Sequence, residues 1–141
     1  MKEAARFFKV LADESRLKML WLLFNRSELC VCDIMAVLEI TQSKASRHLA
    51  TLRNVGIVTD RREGQWSYYS FRPVEDKLAK EHLKLLKTTL LRRPDADQLL
   101  EKLHAWLKEK EKGASCTPDG KHCSAPINAG GMKPSLAGDT R

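Results

Sequence analysis

Four cysteines fall in two close pairs along the 141 residues, Cys30-Val31-Cys32 and Cys116 with Cys123. Thiolates are the soft donors that hold thiophilic metal ions, and neighbouring thiols can also close a disulfide or polysulfide bridge. In a reducing compartment such pairs are ligands or redox thiols rather than structural disulfides. Cys30 and Cys32 lie near the start of a helix expected over about Glu28 to Leu38. With Ser27 as its cap, Cys30 stands at about the third helical position, where the helix N-terminus favours the thiolate. Two residues apart on an α-helix, side chains point roughly 200° apart, so one ion bridges both only if the first turn unwinds. Ligand capture and an intact helix therefore compete. The histidines offer less: His82 and His104 stand alone in helical patterns and read as surface or interface residues, and His48 suits a phosphate better than a metal. Trp21 and Trp106 stand at core or dimer-contact spacings. With no Cys-x-x-Cys on a βαβ pattern, no phosphate-cradling loop and no paired acid and base, the chain does not read as an enzyme.

A second chemistry is carried by a helix that Thr41 caps and that ends near Asn54, just before Gly56. Ala45, Leu49 and Leu52 share its inner face, while Gln42, Ser43, Ser46, Arg47 and Ala50 share the outer one, with Lys44 and His48 alongside. Arginine pairs with guanine, glutamine with adenine, and serine with either base edges or backbone. The N–H groups at Thr41 suit phosphate oxygens. A β-hairpin follows, with Arg61, Arg62 and Gln65 at its tip, placed to lie along the DNA backbone or in the minor groove. Residues 41 to 72 carry six basic and two acidic side chains, so positive charge concentrates on these two elements.

The elements that must position these groups are mostly helical. Glu3 to Leu11 is amphipathic through Ala4, Phe7, Phe8 and Leu11, and Asp13 caps a second helix to about Asn25 with Leu17, Leu20, Trp21 and Phe24 as its stripe. The three residues Glu39-Ile40-Thr41 join the cysteine helix to the Thr41 helix, which is helix-turn-helix spacing. Strand-like stretches at 57–61 and 65–71 flank a turn at Arg62-Glu63-Gly64. Val74 to Arg92 is a further helix, Pro94 breaks the pattern, and Asp95 or Asp97 starts a last one to about Lys112. The fold class expected is mainly α with a β-hairpin wing (α+β), a winged helix-turn-helix.

Composition sets the frame. At 16.0 kDa, 43% hydrophobic and 30% charged, the chain suits one domain, with no apolar run long enough to span a bilayer. Its N-terminus does not read as a secretory signal, so a cytosolic protein is expected. The net charge of +7 favours a polyanionic partner such as nucleic acid. Residues 1–112 carry 22 basic against 16 acidic side chains, whereas 113–141 hold five of the seven glycines and three of the five prolines. The first segment is expected to be the DNA-binding and dimerisation domain, and the second a flexible tail carrying Cys116 and Cys123.

Four segments, Leu11-Ala12-Asp13-Glu14-Ser15-Arg16-Leu17, Glu28-Leu29-Cys30-Val31-Cys32-Asp33-Ile34, Ser43-Lys44-Ala45-Ser46-Arg47-His48-Leu49 and Asp60-Arg61-Arg62-Glu63-Gly64-Gln65-Trp66, together resemble the ArsR/SmtB family of metal-responsive winged-helix repressors over about residues 5 to 75. The Glu-Leu-Cys-Val-Cys-Asp segment is the specific part and is similar to the arsenic-binding helix of the family's arsenical-resistance repressors. The resemblance implies a homodimer, built from the first helix and the C-terminal helices, that blocks an operon promoter and dissociates when trivalent arsenic or antimony, As(III) or Sb(III), binds. It implies no organic cofactor.

In those repressors a third thiolate completes a Cys-x-Cys-x-x-Cys arrangement, and here that position is Met35, a weaker and uncharged donor. The third sulfur then comes from Cys116 or Cys123, or from a cellular thiol, or is not needed, as for monomethylated arsenite; the reach of the tail favours the first. The family's zinc site needs closely spaced Asp and His pairs on the C-terminal helices, which His82 and His104 do not form, and its cadmium-type site draws cysteines from an N-terminal extension, whereas none precedes Cys30. A redox or persulfide sensor, or a sensor of another soft metal ion, is the alternative on the same fold. A two-fold dimer should bind a pseudo-palindromic operator, with its recognition helices in successive major grooves.

Overall fold

A computed structural model describes residues 1–113 together with the backbone of 115–116 and 123–124. Helices α1 (Lys2–Leu11) and α2 (Glu14–Asn25) open the chain. The Asp13 carboxylate accepts the Arg16 N–H at 3.0 Å and starts α2 as expected. The sequence pattern assigned α2 a single apolar stripe, yet Met19, Leu20, Trp21, Leu22 and Leu23 are all buried. This helix is the centre of the fold, packed against α1, α3, α4, α5, α6 and the wing. A helix covered on several sides loses the one-sided periodicity that marks a surface helix.

The main local departure from expectation falls at the first cysteine pair. Leu29–Cys30 is not helical but forms a short strand, β1, and α3 runs only over Val31–Leu38 with Cys30 as its N-cap. β1 pairs antiparallel with β3 of the wing, Leu29 opposite Tyr69 and Cys30 opposite Tyr68. Backbone groups in this buried stretch are thereby paired across the sheet, which local helix signals do not register. α3 closes on Glu39 in a left-handed conformation at φ 57°, and α4 (Gln42–Asn54) begins at Thr41, whose Oγ1 accepts the Lys44 N–H at 3.2 Å. Ala45, Leu49 and Leu52 are fully buried, so α4 is held by its expected inner face.

The wing comprises β2 (Val58–Glu63) and β3 (Trp66–Phe71), giving a sheet of order β1-β3-β2. Its turn is the two-residue loop Gly64-Gln65, with Gly64 at φ 64°, so β2 continues through Arg62 and Glu63, which were expected in the turn, and β3 starts one residue later than expected. Helix α5 (Lys77–Leu90) starts on the Asp76 cap, and α6 (Pro94–Glu111) has Pro94 in its first turn. The helical pattern breaks before Pro94, as expected, and the proline is itself the first residue of α6, where an N–H would have no intrahelical acceptor. Leu99 and Leu103 seat α6 in the core, and α6 lies across α2 and α3.

Beyond α6, β4 (Ser115–Cys116) and β5 (Cys123–Ser124) pair antiparallel with Cys116 opposite Cys123, and both lie against α3. The flexible tail expected over residues 113–141 lies otherwise outside the described residues. Among the described residues no helix is long and apolar enough to cross a membrane.

Candidate functional site

Cys30 and Cys32 are both buried, 3% and 4% exposed. Because Cys30 is the extended N-cap residue (φ −77°, ψ 153°), it lies outside the helix, and the angular conflict expected for two positions within one helix does not apply to it. Its side chain faces the Asp33 backbone N–H, while the Asp33 carboxylate accepts the Cys30 N–H at 2.9 Å, so a thiol takes the serine or threonine place in a capping box. A sulfur there meets the positive end of the α3 dipole.

Asp33, 3% exposed, is the polar centre of the site. Its second oxygen accepts the Trp106 indole N–H and the Lys110 ammonium, each at 2.9 Å, and so ties α6 to the N-terminus of α3. Burial would depress the Lys110 pKa, but the charge and hydrogen bond of Asp33, with smaller contributions from Cys30 and Cys32, hold it above the ordinary lysine value. A cation whose folded-state pKa is raised contributes stability that is whole below its unfolded value, 10.5, and is lost as pH rises through the folded value. Lys110→Met should therefore destabilise the protein at pH 7, and the difference from wild type in chemical unfolding should narrow above pH 10.5.

A pocket of about 290 Å³ opens beside Cys30, lined among others by Glu28, Asp33, Arg61 and Lys110. Among the described residues no three His, Cys, Asp or Glu side chains converge as a metal-ligand set. Cys30 and Cys32 place two buried thiols at the start of α3, and the strands carrying Cys116 and Cys123 lie against the same helix.

On the outward face of α4, Gln42, Ser43, Lys44, Ser46 and Arg47 are exposed, with Thr41 exposed at the cap. His48 is half-buried and turns inward: its Nδ1 lies 3.1 Å from Arg16 Nη1 and 3.9 Å from the Asp13 carboxylate. Burial works against the Asp13 charge, but the Arg16 N–H and the Arg16 and His48 charges hold its carboxyl below the ordinary range. Arg62 and Gln65 project from the wing into solvent. Arg61 is engaged within the protein: Nε and Nη2 donate to the two Glu28 oxygens at 2.7 and 2.8 Å, Nη1 donates to Glu63 at 2.6 Å, and the guanidinium lies 4.5 Å from the Tyr68 ring centroid. Hydrogen bonds to Glu28, then Glu63, raise its pKa further and keep it charged. His82 stacks edge-on to Phe8 at 5.0 Å, and His104 is exposed on α6.

Sequence reasoning missed Glu28, Asp33 and Lys110 as members of the site and gave Trp106 only a packing role. Asp33 had a local signal, since it stands three residues after the true N-cap. That signal is masked when the cap is cysteine. Trp106 and Lys110 share one face of α6 at a spacing of four, but nothing local says which helix that face meets.

Comparisons with known proteins agree with the fold. Residues 13–60 match the family described as "Bacterial regulatory protein, arsR family". The Arsenic resistance transcriptional regulator ArsR1 of Pseudomonas putida is 53% identical over 66 residues, 47% of this chain and 52% of that protein. The Arsenical resistance operon repressor of Escherichia coli is 48% identical over 68 residues, 48% of this chain and 58% of that protein. The chain thus spans little more than half the length of these curated relatives. Among solved structures, HlyU from Vibrio cholerae N16961 superposes with a TM-score of 0.53 at 34% identity, over 62% of this chain and 91% of that one.

Proposed function

Because this chain belongs to the arsR family of bacterial regulatory proteins, we propose that it is a transcriptional repressor that holds operator DNA until As(III) or Sb(III) is captured by Cys30 and Cys32. Cys116 or Cys123 supplies the third thiolate. The observation that carries this reading is the position of the two buried thiols. They stand at the N-terminus of α3, and α3 is followed after Glu39-Ile40-Thr41 by the recognition helix α4. A change in thiol ligation there alters the cap of the helix that supports α4, which gives the ligand different interactions in the DNA-bound and released states.

The tail assignment draws support from β4 and β5 lying against α3. The protein acts in the cytoplasm as a regulator and not an enzyme. It works as a homodimer: Phe8 on α1 and Leu78 and Leu85 on α5 are 42%, 37% and 58% exposed, an apolar strip of the kind that an isologous interface covers.

Arsenite added to a preformed complex of the reduced protein with its operator tests the reading. It should release the DNA at low equivalents, whereas hydrogen peroxide should not; release by peroxide alone favours the redox alternative. The footprint should show two-fold symmetry. On the DNA side, Arg47→Ala should cost about 1–3 kcal/mol and relax discrimination at one base position. Arg62→Ala should weaken all sequences alike and lower the slope of log K against log salt by about one.

A further inference from the structure

Arg61 lies on the DNA-facing wing, yet all three of its guanidinium nitrogens donate to carboxylates of the protein. Two of these bonds form a bidentate pair with Glu28, which stands two residues before Cys30 and lines the same pocket. β1 joins the same two parts again, since Cys30 is paired with Tyr68 of β3, and it is over the Tyr68 ring that the Arg61 guanidinium sits. We propose that Arg61 and Glu28 are positioning residues that couple the thiol site to the wing, so that ligand capture at Cys30 moves the wing as well as the recognition helix.

The inference rests on the reading of Cys30 and Cys32 as the ligand site. A guanidinium held by two carboxylates presents little net positive charge to a phosphate, which leaves Arg62 as the wing's DNA contact. The bidentate geometry fixes direction as well as distance, so a shift of the Glu28-Leu29-Cys30 segment is passed to β2 rather than absorbed by a flexible side chain. Arg61 is half-exposed. An exposed pair transmits a modest effect, up to about fivefold in an equilibrium, and the β1–β3 pairing carries the remainder.

The test uses the full chain with Glu28→Gln, Arg61→Met, the double variant and Arg62→Met, each measured for operator affinity across a salt series with and without arsenite. Glu28→Gln and Arg61→Met should each cut the arsenite-induced change in affinity by about threefold to fivefold. The double variant should cut it no further than either single one, because both remove the same connection. Without arsenite, Arg61→Met should keep the wild-type salt slope, while Arg62→Met should lower it by about one. A slope lowered by Arg61→Met, or an arsenite response left whole in both single variants, would overturn the proposal. A wild-type protein that keeps its DNA in arsenite would instead overturn the ligand reading, and the salt slopes would still decide whether Arg61 touches phosphate.

Discussion

Cys30→Ser combined with Cys32→Ser is expected to leave operator affinity within about threefold of wild type and to abolish the response to arsenite. Coupling between a ligand site and a second site is typically worth about 1–3 kcal/mol, a factor of about 5 to 150, and the whole of that factor should vanish. The fold should survive, because serine is a favoured N-cap residue and its hydroxyl can take the thiol's place opposite the Asp33 N–H. Cys32 lies in the first turn of α3, where a buried hydroxyl costs about 1–3 kcal/mol, well short of unfolding a domain. Cys116→Ser with Cys123→Ser should keep release but move it to higher arsenite, since two thiolates remain. Operator anisotropy on the three proteins reads both effects. A doubly substituted α3 site that still releases DNA on arsenite would place the sensor elsewhere.

The second large effect is structural. Asp33→Asn should destabilise the protein by about 3–5 kcal/mol, the usual result of removing one member of a buried ion pair. In a chain of this size that corresponds to a fall in melting temperature of about 10 to 20 °C. The cause is specific: the Lys110 ammonium, whose side chain is 11% exposed, would stay buried without its counter-charge, and the Cys30 and Trp106 N–H groups would keep only an amide as acceptor. Adding Lys110→Met to Asp33→Asn should recover part of the loss, because the uncompensated charge is then gone. Thermal unfolding of the two single variants and the double completes the cycle. A double variant as destabilised as the sum of the singles would mean that the two side chains do not act as a pair.

Much of this was legible in the residues, and the exceptions share a cause. The caps Asp13 and Thr41, the inner face Ala45, Leu49 and Leu52, and the two-stranded wing are local patterns of period or cap chemistry, and the structure places them where the residues indicate. What the residues could not show depends on partners far along the chain. Cys30 becomes a strand residue because Tyr68 is there to pair with it, and Asp33 is a hub because Trp106 and Lys110 arrive more than seventy positions later. Arg61 is held by Glu28, thirty-three residues away, a pairing that no local pattern announces. The burial of α2 on several sides is of the same kind, since tertiary packing decided what period left open.

The most direct test of the central claim follows thiolate–arsenic absorbance and operator anisotropy together while the reduced wild-type protein, bound to its operator, is titrated with arsenite. The account predicts that both signals change in step and reach their plateaus at the same equivalents per protomer, and that neither changes in the Cys30→Ser and Cys32→Ser double variant. Saturation of the arsenic absorbance with the anisotropy unmoved would contradict it, because the ion would then be bound without release of the DNA.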